Sequence, residues 1–532
     1  MDNKLNIPSI PKEKLEFIGT GTVIRDQKFE DKPIGYFKDA WLRFCKNKAS
    51  IIAACIILAI VLFAVIVPFF NFTGTGTHFE QRYAKKVPRN LFLSNFGIAT
   101  GDVTVQYNEK TLVNFAALGI AASNDLTTTV GEALASGDPL QPISKIVKAE
   151  LLSQGKNKNT IYTVNIDNYL EVGFFYQQVT AEEYQNLVAW QEETGIQLLY
   201  PLIENNEYNF ANTSTSLSQN ANWWYKTDSK GAPVTINSKG EAVAIRYDSL
   251  DELVLEDNYR RDENGNLVYR TEIGAAGTSM EYQVRMLFYN YYRYTHDGAE
   301  PEYIFGTDVN GYDLAYRMAV GLRLSLLLSV SIFVINFLLG AMYGSIEGYY
   351  GGSTDLIMEF IAYVLSGVPF MVVATLFQIH LAAKAGAVPS LLFAFVATGW
   401  IGTAALVRTQ FYRFKNQEYV MAARTLGARD KRIIWKHIFP NTLGTIITSS
   451  VLAIPGVIFS ESMLSYLGII NLGSSTSTSL GTLLSDASGI FYETPHLMIF
   501  PALVISLLMI CFNLFGNGLR DAFNPSLRGS ED

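Results

Sequence analysis

Long uncharged apolar windows constrain the fold of this chain more than any other feature. A helix that crosses a bilayer needs roughly 20 apolar residues. Six windows reach about this length: Ile51–Phe70, Leu324–Ile346, Ile361–Ala383, Ala385–Val407, Thr442–Ser460 and Leu497–Leu519. A hydrophobic content of 49% over 532 residues also indicates a membrane protein rather than a soluble enzyme. The sequence therefore predicts an all-α polytopic membrane domain with six transmembrane helices.

Two of these windows could be interpreted differently. The first could be a signal peptide, but it begins near residue 50 and no small-residue cleavage site follows it, so we predict a permanent anchor. The fifth contains Pro455 and Gly456, which predicts an interrupted helix of the kind that membranes tolerate when neighbouring groups satisfy the backbone.

The distribution of Lys and Arg predicts the orientation of the helices. Residues 1–49 hold ten of these side chains, residues 408–441 hold eight, and the loop 466–496 holds none. We therefore predict a multi-pass membrane protein with cytoplasmic N- and C-termini. Residues 71–316 then form one long extracytoplasmic insert.

This topology divides the chain into five parts. They are a cytoplasmic segment at 1–49, the first transmembrane helix at 50–70, the insert at 71–316, a membrane core at 317–520 and a cytoplasmic tail at 521–532.

Local patterns in the insert predict an α+β domain. Thr180 and Glu183 form a capping box ahead of one helix, and Asn264 with Gly265 marks a hairpin turn. The stretch "MEYQVRMLFYNYYRY" predicts a second helix with an aromatic face, which is more typical of a core than of a ligand platform. Between residues 71 and 310, 18 Lys and Arg face 30 Asp and Glu, a net charge of 18 − 30 = −12.

Motifs for catalysis and metal binding are missing from the sequence. It contains no G-x-x-x-x-G-K-[ST] phosphate loop, no H-E-x-x-H pair and no G-x-S-x-G elbow. The three cysteines, Cys45, Cys55 and Cys511, lie in or beside apolar windows, so the insert has no disulfide available. We predict no catalytic residue, no metal ligand and no cofactor on this chain, and nothing in it indicates nucleic-acid binding.

The segment "EYVMAARTLGARDKRIIWKHIFPN", residues 418–441, carries five Lys or Arg against two acids between two apolar windows. It predicts a helix that begins at Glu418, a left-handed glycine turn at Gly427, and a second helix from Arg429 to Ile438 that stops at Pro440. Ala422 and Ala423 would allow a partner to approach closely, and basic side chains such as Arg424 offer charge-assisted contacts. An amphipathic segment lying on anionic lipid is an equally good interpretation of these residues alone.

The same segment resembles the EAA loop of ABC importer membrane subunits, here at 411–441. Met421, Ala422 and Ala423 are followed by three residues, Gly427, and a closing Ile438-Phe439-Pro440-Asn441. Four further stretches resemble the dipeptide and oligopeptide permease family in order and spacing: "FGTDVNGYDLAYRMAVGLRLSL", "EGYYGGSTD", "SESMLSYLG" and "FNLFGNGLRDAFNP". This likeness extends over residues 304–527.

The resemblance implies a type I ABC importer-like membrane domain with an inserted extracytoplasmic α+β domain, located in a bacterial plasma membrane. Its expected partners are a homologous permease, two ABC ATPase subunits that hold the ATP and Mg, an extracytoplasmic peptide-binding protein, membrane lipid and a peptide substrate. Relatives in this family also carry nickel and other small solutes, so a solute other than a peptide stays open.

The resemblance also assigns a site. The predicted ATPase-coupling residues are Glu418, Met421, Ala422, Ala423, Arg424, Gly427, Ile438, Pro440 and Asn441. Met421 stands where the family signature has an acid, and Glu418, three residues earlier on the same helical face, could replace it.

Two ionisable residues near the membrane, Arg323 and Glu461, are candidates for the gate or the transport pathway, because such groups are functional by default at this depth. Arg323 and Arg317 lie at the predicted outer end of the second helix, against the positive-inside pattern. Gly340, Gly344, Gly348 and Gly352 recur every four residues, which predicts close helix packing.

Two function classes compete with transport. A membrane-anchored receptor or adhesion protein would place the activity in the insert, and a membrane peptidase would need a nucleophile or metal site that the sequence does not contain. The family motifs argue against both classes.

Overall fold

A computed structural model describes residues 36–69, 78–135, 137–154, 157–204, 221–227, 233–236, 241–244, 250, 254–273, 280–474 and 477–523. Some parts of the predicted division of the chain lie outside the described residues. They are most of the N-terminal segment, the stretch 70–77 and the tail from 524 onward.

Five helices in the described part of the chain are long and apolar enough to cross a membrane, and a bent helix pair makes up to six. In chain order the spans are Lys48–Phe69, Leu314–Tyr350, the pair Gly352–Ser366 with Phe370–Ala385, Ala387–Phe414, Asp430–Tyr466 and His496–Phe523. We number them first to sixth. A short helix, Tyr36–Lys46, precedes the first span, and another, Leu480–Ser488, lies between the fifth and sixth.

Two spans differ from expectation. The third bends by 73° between its halves, where Gly367 and Pro369 end one helix and begin the next. The fifth span is interrupted, but not at Pro455 and Gly456, where the sequence predicts the interruption. Both residues lie inside the helix Ala453–Tyr466, and the break falls at Leu452, because a proline fits the first turn of a helix, where its missing N–H is not needed.

Contacts at the two ends of the bundle define its sides. Ser50, at the start of the first span, donates from Oγ to the Leu514 carbonyl near the end of the sixth at 3.2 Å. His496, which begins the sixth span, lies 3.1 Å from the Lys86 carbonyl of the insert through Nε2. We therefore call the ends near residues 78–313 the insert side and the opposite ends the loop side.

The described residues of the insert form three antiparallel sheets. β1 (Asp102–Asn108), β2 (Ile143–Gln154) and β3 (Asn157–Asp167) form the first, in the order β1-β3-β2. In the second, β10 (Glu281–Leu287) pairs with β4 (Phe174–Thr180) on one side and with β5 (Leu199–Tyr200) and β9 (Arg270–Ile273) on the other. The third orders β7 (Ala242–Ala244), β6 (Val234–Ile236) and β8 (Val254–Leu255). The α-helices in the part of the insert that the structure describes are Leu91–Ser94, Glu109–Ser123, Val130–Ala135, Ala181–Thr194 and Phe288–Thr295.

Local predictions in the insert are mostly confirmed. The capping box of Thr180 and Glu183 is present, and Gly265 has φ +85° in a turn closed by the Arg261 and Leu267 bridge. The helix expected over "MEYQVRMLFYNYYRY" is half wrong, because Glu281–Leu287 is the central strand β10 and only Phe288–Thr295 is helical. The aromatic residues of that helix, including Phe288 and Tyr292, are buried in the core as expected.

The insert is joined to the spans by two paired segments of chain. Phe79 bridges Tyr312, and the Lys86 amide donates to Thr307 Oγ1 at 2.8 Å. Gly311 has φ +96°, and a Cβ there would lie 2.3 Å from the Glu80 carbonyl oxygen. This backbone contact holds the insert directly on the second span.

Three of the four glycines that recur every four residues lie where the second span packs against the fourth. A Cβ on Gly344 would lie 2.2 Å from the Ala404 carbonyl oxygen of the fourth span, and Cβ atoms on Gly340 and Gly348 would meet the same span at 2.6 and 2.7 Å. Gly352 is an exception, since it has φ +56° and nothing within 4 Å.

We expect Gly344→Ala to lower the melting temperature of the purified protein, because an extra carbon in a packed contact costs about 1–3 kcal/mol. Gly402→Ala is the matched control, as Gly402 lies on the fourth span with nothing within 4 Å. Equal melting temperatures for the two variants would contradict the packing role of Gly344.

Candidate functional site

The basic segment between the fourth and fifth spans begins with the helix Glu418–Thr425. Gly427 has φ +81°, and the amides of Gly427 and Ala428 donate to the carbonyls of Arg424 and Ala423, both at 3.0 Å. This pair of bonds is the Schellman arrangement, which needs a left-handed residue at the glycine position. The predicted helix and glycine turn are therefore confirmed. We call residues 415–441 the coupling segment.

One apolar side chain anchors this helix to the membrane domain. Val420 is fully buried in a cluster with Val407 and Phe411 of the fourth span and Ile433 and Ile438 of the fifth. Tyr349, at the end of the second span, adds a hydrogen bond from its hydroxyl to Asp430 Oδ1 at 2.6 Å. The coupling segment is thus packed on three spans at once.

The second predicted helix does not stop at Pro440, and that expectation is wrong. A π-helix over Ile433–Ile438 runs directly into the helix Phe439–Val451, with Pro440 in its first turn. The Phe439 amide bonds five residues back to the Ile434 carbonyl, and the side-chain amide of Asn441 donates to the His437 carbonyl at 2.7 Å. Pro440 therefore lies inside one continuous helical run and not at its end.

The outer surface of the segment combines apolar and basic groups. Leu426 is 89% exposed and Met421 is 51% exposed, and Ala422, Arg424 and the basic residues that follow Gly427 are exposed as well. Glu418, which could replace the missing signature acid, is exposed, and its carboxylate has no hydrogen bond or ion pair with the described residues. Among the predicted residues Ile438 is buried and Ala423 is half-buried, and the exposed ones are Glu418, Met421, Ala422, Arg424, Gly427, Pro440 and Asn441.

An ion-pair cluster lies beside the segment on the loop side. Arg408 of the fourth span contacts both oxygens of Asp355, at 2.6 and 2.9 Å, and both oxygens of Glu359, at 2.8 and 2.9 Å. Glu347 of the second span lies 3.4 Å from Arg408 Nε. The first half of the bent third span is therefore held to two neighbouring spans by one guanidinium.

The gate candidates do not come together in the structure. Glu461 is buried, and its carboxylate accepts bonds from the hydroxyls of Ser325 at 2.9 Å and Ser465 at 3.1 Å, which joins the fifth span to the second. Arg323 is half-buried, and its guanidinium has no hydrogen bond or ion pair with the described residues.

Sequence reasoning treated Arg317 only as an exception to the charge pattern. It is buried, its Nε lies 3.2 Å from Asp308 Oδ2, and its Nη1 donates to the Ser474 carbonyl at 3.1 Å. Together with Asp486 and Tyr312 it lines a cavity of about 670 Å³ between the insert and the spans. The position of Arg317 in this cavity depends on contacts between residues far apart in sequence, so no local sequence pattern could have predicted it.

Comparison with known families gives two matches. Residues 336–529 match the model described as "Binding-protein-dependent transport system inner membrane component", and residues 35–86 match "N-terminal TM domain of oligopeptide transport permease C". Residues 87–335, which include most of the insert, lie outside both matches.

Curated relatives are similar over less than half of this chain. This chain is 41% identical to the oligopeptide transport system permease protein OppC of Bacillus subtilis (strain 168), over 42% of this chain and 72% of the relative. It is 42% identical to OppC of Haemophilus influenzae over 43% and 72%, and 40% identical to the dipeptide transport system permease protein DppC of B. subtilis over 42% and 69%. The MetNI methionine ABC transporter in an inward-facing conformation aligns over 39% of this chain and 97% of its own, with 14% identity and a TM-score of 0.34.

Proposed function

We infer the function from the family: this chain belongs to the inner membrane components of binding-protein-dependent transport systems, as its identity to relatives matched over 72% of their length establishes. We propose that it is the permease subunit of an ABC importer for oligopeptides or dipeptides and forms half of the translocation pathway. The observation that carries this proposal is the 41% identity to an oligopeptide permease.

Coupling to ATP hydrolysis would occur through the helix Glu418–Thr425. The exposed Leu426 and Met421 offer an apolar contact next to Arg424, and exposed apolar groups beside charges are typical of docking sites. Val420 packs the helix against the fourth and fifth spans, and Tyr349 of the second span bonds Asp430 at the start of the fifth, so a push on the helix would move those spans together. Residues Ala422, Ala423 and Gly427 would shape the contact, and Pro440 and Asn441 would keep the connection to the fifth span continuous.

The partners follow from this mechanism. A homologous permease would complete the pathway, and two ATPase subunits on the loop side would bind the ATP and Mg²⁺, since this chain has no phosphate loop. An extracytoplasmic peptide-binding protein would deliver the substrate on the insert side. The loop side and both termini would then be cytoplasmic, and alternating access would rock the spans around a central path.

The gate region would lie on the insert side of the bundle. Glu461 ties the fifth span to Ser325 of the second, and Arg323, two residues from Ser325, is the free cation among the described groups of this region. Opening of the pathway would change this contact, and Arg323 would meet the partner permease or the substrate.

Uptake measurements test the proposal. Deletion of this chain should abolish ATP-dependent uptake of a labelled oligopeptide pool into cells, and the intact chain should restore it. Normal peptide uptake in the deletion strain would overturn the peptide assignment. Loss of nickel uptake with normal peptide uptake would favour the alternative solute.

A further inference from the structure

An uncharged apolar projection of the insert lies apart from the coupling segment and the gate region. Residues 91–98, Leu-Phe-Leu-Ser-Asn-Phe-Gly-Ile, form a short helix and a turn that we call the knob. Leu91, Phe92, Phe96 and Ile98 are 45%, 70%, 69% and 61% exposed. Single exposed apolar residues are ordinary on a soluble domain, but four neighbours mark a contact surface.

Most backbone amides of the knob are paired, and the Leu91 amide donates to the Glu302 carboxylate at 2.8 Å. Asn90 caps the helix, accepting from the Leu93 amide at its side chain and from the Ser94 amide at its carbonyl, both at 2.9 Å. The amides of Phe96 and Ile98 donate back to the Leu93 carbonyl at 3.0 and 3.2 Å. A segment that enters hydrocarbon must pair its donors in this way, whereas a loop that stays in water need not.

The base of the knob lies close to the membrane ends of the spans. Arg89 bridges both Thr100 and Tyr303, which closes the knob at its root. Three residues earlier, the Lys86 carbonyl contacts His496, the first residue of the sixth span. Three residues of chain span at most about 10 Å, comparable with the roughly 5–8 Å of polar headgroup region on each side of the hydrocarbon.

Charge distinguishes lipid from a protein partner as the occupant. The hairpin of β2 and β3 also exposes apolar residues, such as Leu151 at 62%, but alternates them with Lys145, Lys148 and Glu150. Residues 91–101 contain no Lys, Arg, Asp or Glu. An apolar surface whose own residues are uncharged, with the Glu302 carboxylate at its root beside Leu91, matches the acyl region of a leaflet below a headgroup better than a water-exposed docking face.

We propose that the knob inserts into the lipid leaflet on the insert side, beside the first span. Phe92 and Phe96, whose ring centroids lie 5.7 Å apart, would enter the acyl region, and Asn90 would stay at the headgroup level. This anchor holds the insert at a fixed height and tilt above the membrane, and it is independent of the transported solute.

Photo-crosslinking in the membranes of producing cells tests the proposal. The full-length chain would carry p-benzoyl-phenylalanine in place of Phe92, Phe96 or, as the matched control, Leu151, which is equally exposed but lies on the charged hairpin. The replacements at 92 and 96 preserve an aromatic ring, so folding should be kept.

We expect phospholipid adducts, identified by mass spectrometry, at positions 92 and 96 and none at 151. Adducts to another polypeptide at 92 and 96 would overturn the proposal in favour of a protein partner. Absence of any adduct at both positions, in a chain that reaches the membrane in normal amount, would overturn it as well.

Discussion

Replacement of Gly427 by valine is expected to abolish import and to release the ATPase subunits while the membrane domain stays folded. Gly427 has φ +81°, and a Cβ added there would have nothing within 4 Å, so the obstacle is the backbone and not space. A left-handed conformation costs an ordinary residue roughly 1–2 kcal/mol, and a β-branched residue more. Loss of the left-handed turn would break the Schellman bonds and swing Leu426 away from its position.

The chain supplies a matched control for this change. Gly468 ends the fifth span on the insert side with φ +71°, nothing within 4 Å, and the same pair of bonds from Gly468 to Ser465 and from Ile469 to Leu464. Gly468→Val should cost similar stability but leave the ATPase subunits bound. Co-purification of the ATPase with both variants, normalised to the amount of permease, measures the difference.

Two further variants separate ATPase docking from lipid binding. Ala422→Asp places an unpaired acid on the exposed face of the helix Glu418–Thr425 and should reduce co-purification in the same way. Lipid binding instead predicts a mild effect for Gly427→Val and a severe one for charge reversal at Arg429, Lys431 and Arg432. Full import by both Gly427→Val and Ala422→Asp would refute the coupling role.

The glycine turn was predictable because its signal is local. A helix-forming run that ends at glycine leaves few alternatives for the backbone, and the structure has that turn. The continuation past Pro440 was not predictable in this way. It depends on the π-helix Ile433–Ile438, which shifts the bonding pattern ahead of the proline, and that shift is set by packing of Ile433 and Ile438 against the fourth span.

Two other differences between the predictions and the structure also arise from backbone bonding. Tyr282, Val284 and Met286 alternate along β10, which is a strand signal, but the run continues without a break into the aromatic helix and so resembled one long helix. In the third span, Gly367 and Pro369 leave the window apolar, so hydropathy finds a span but cannot find its 73° bend. Hydropathy counts apolar residues, whereas bends and strand pairing depend on backbone bonds.

The second large effect is expected when the ion-pair cluster around Arg408 is broken. We expect Arg408→Met to lower the free energy of unfolding of the purified protein by up to about 3 kcal/mol, the lower end for breaking a buried ion pair, because Arg408 and Glu359 are partly exposed. The side chains of Glu347 and Asp355 are only 4% and 14% exposed, so their carboxylates would be left close together without their ion-pair partner. The Tyr412 hydroxyl, 2.6 Å from Asp355, cannot neutralise that charge.

The consequence extends to the bent third span. Its first half is held to the fourth span by the four short bonds of Arg408 to Asp355 and Glu359, and most of its other large apolar residues, such as Leu356 and Phe360, are exposed. Without the guanidinium this half should separate from the fourth span, so protease sensitivity near residue 355 should rise together with the loss of stability.

Compensating and control variants distinguish charge from packing. Arg413→Met changes an exposed arginine one turn further along the same span and should have little effect, because exposed charges contribute about 0–1 kcal/mol. Asp355→Asn combined with Arg408→Met removes one of the stranded charges and should recover part of the lost stability. If the double variant were less stable than Arg408→Met alone, the cluster would act by packing and hydrogen bonding, and its charge balance would not be what joins the third span to the fourth.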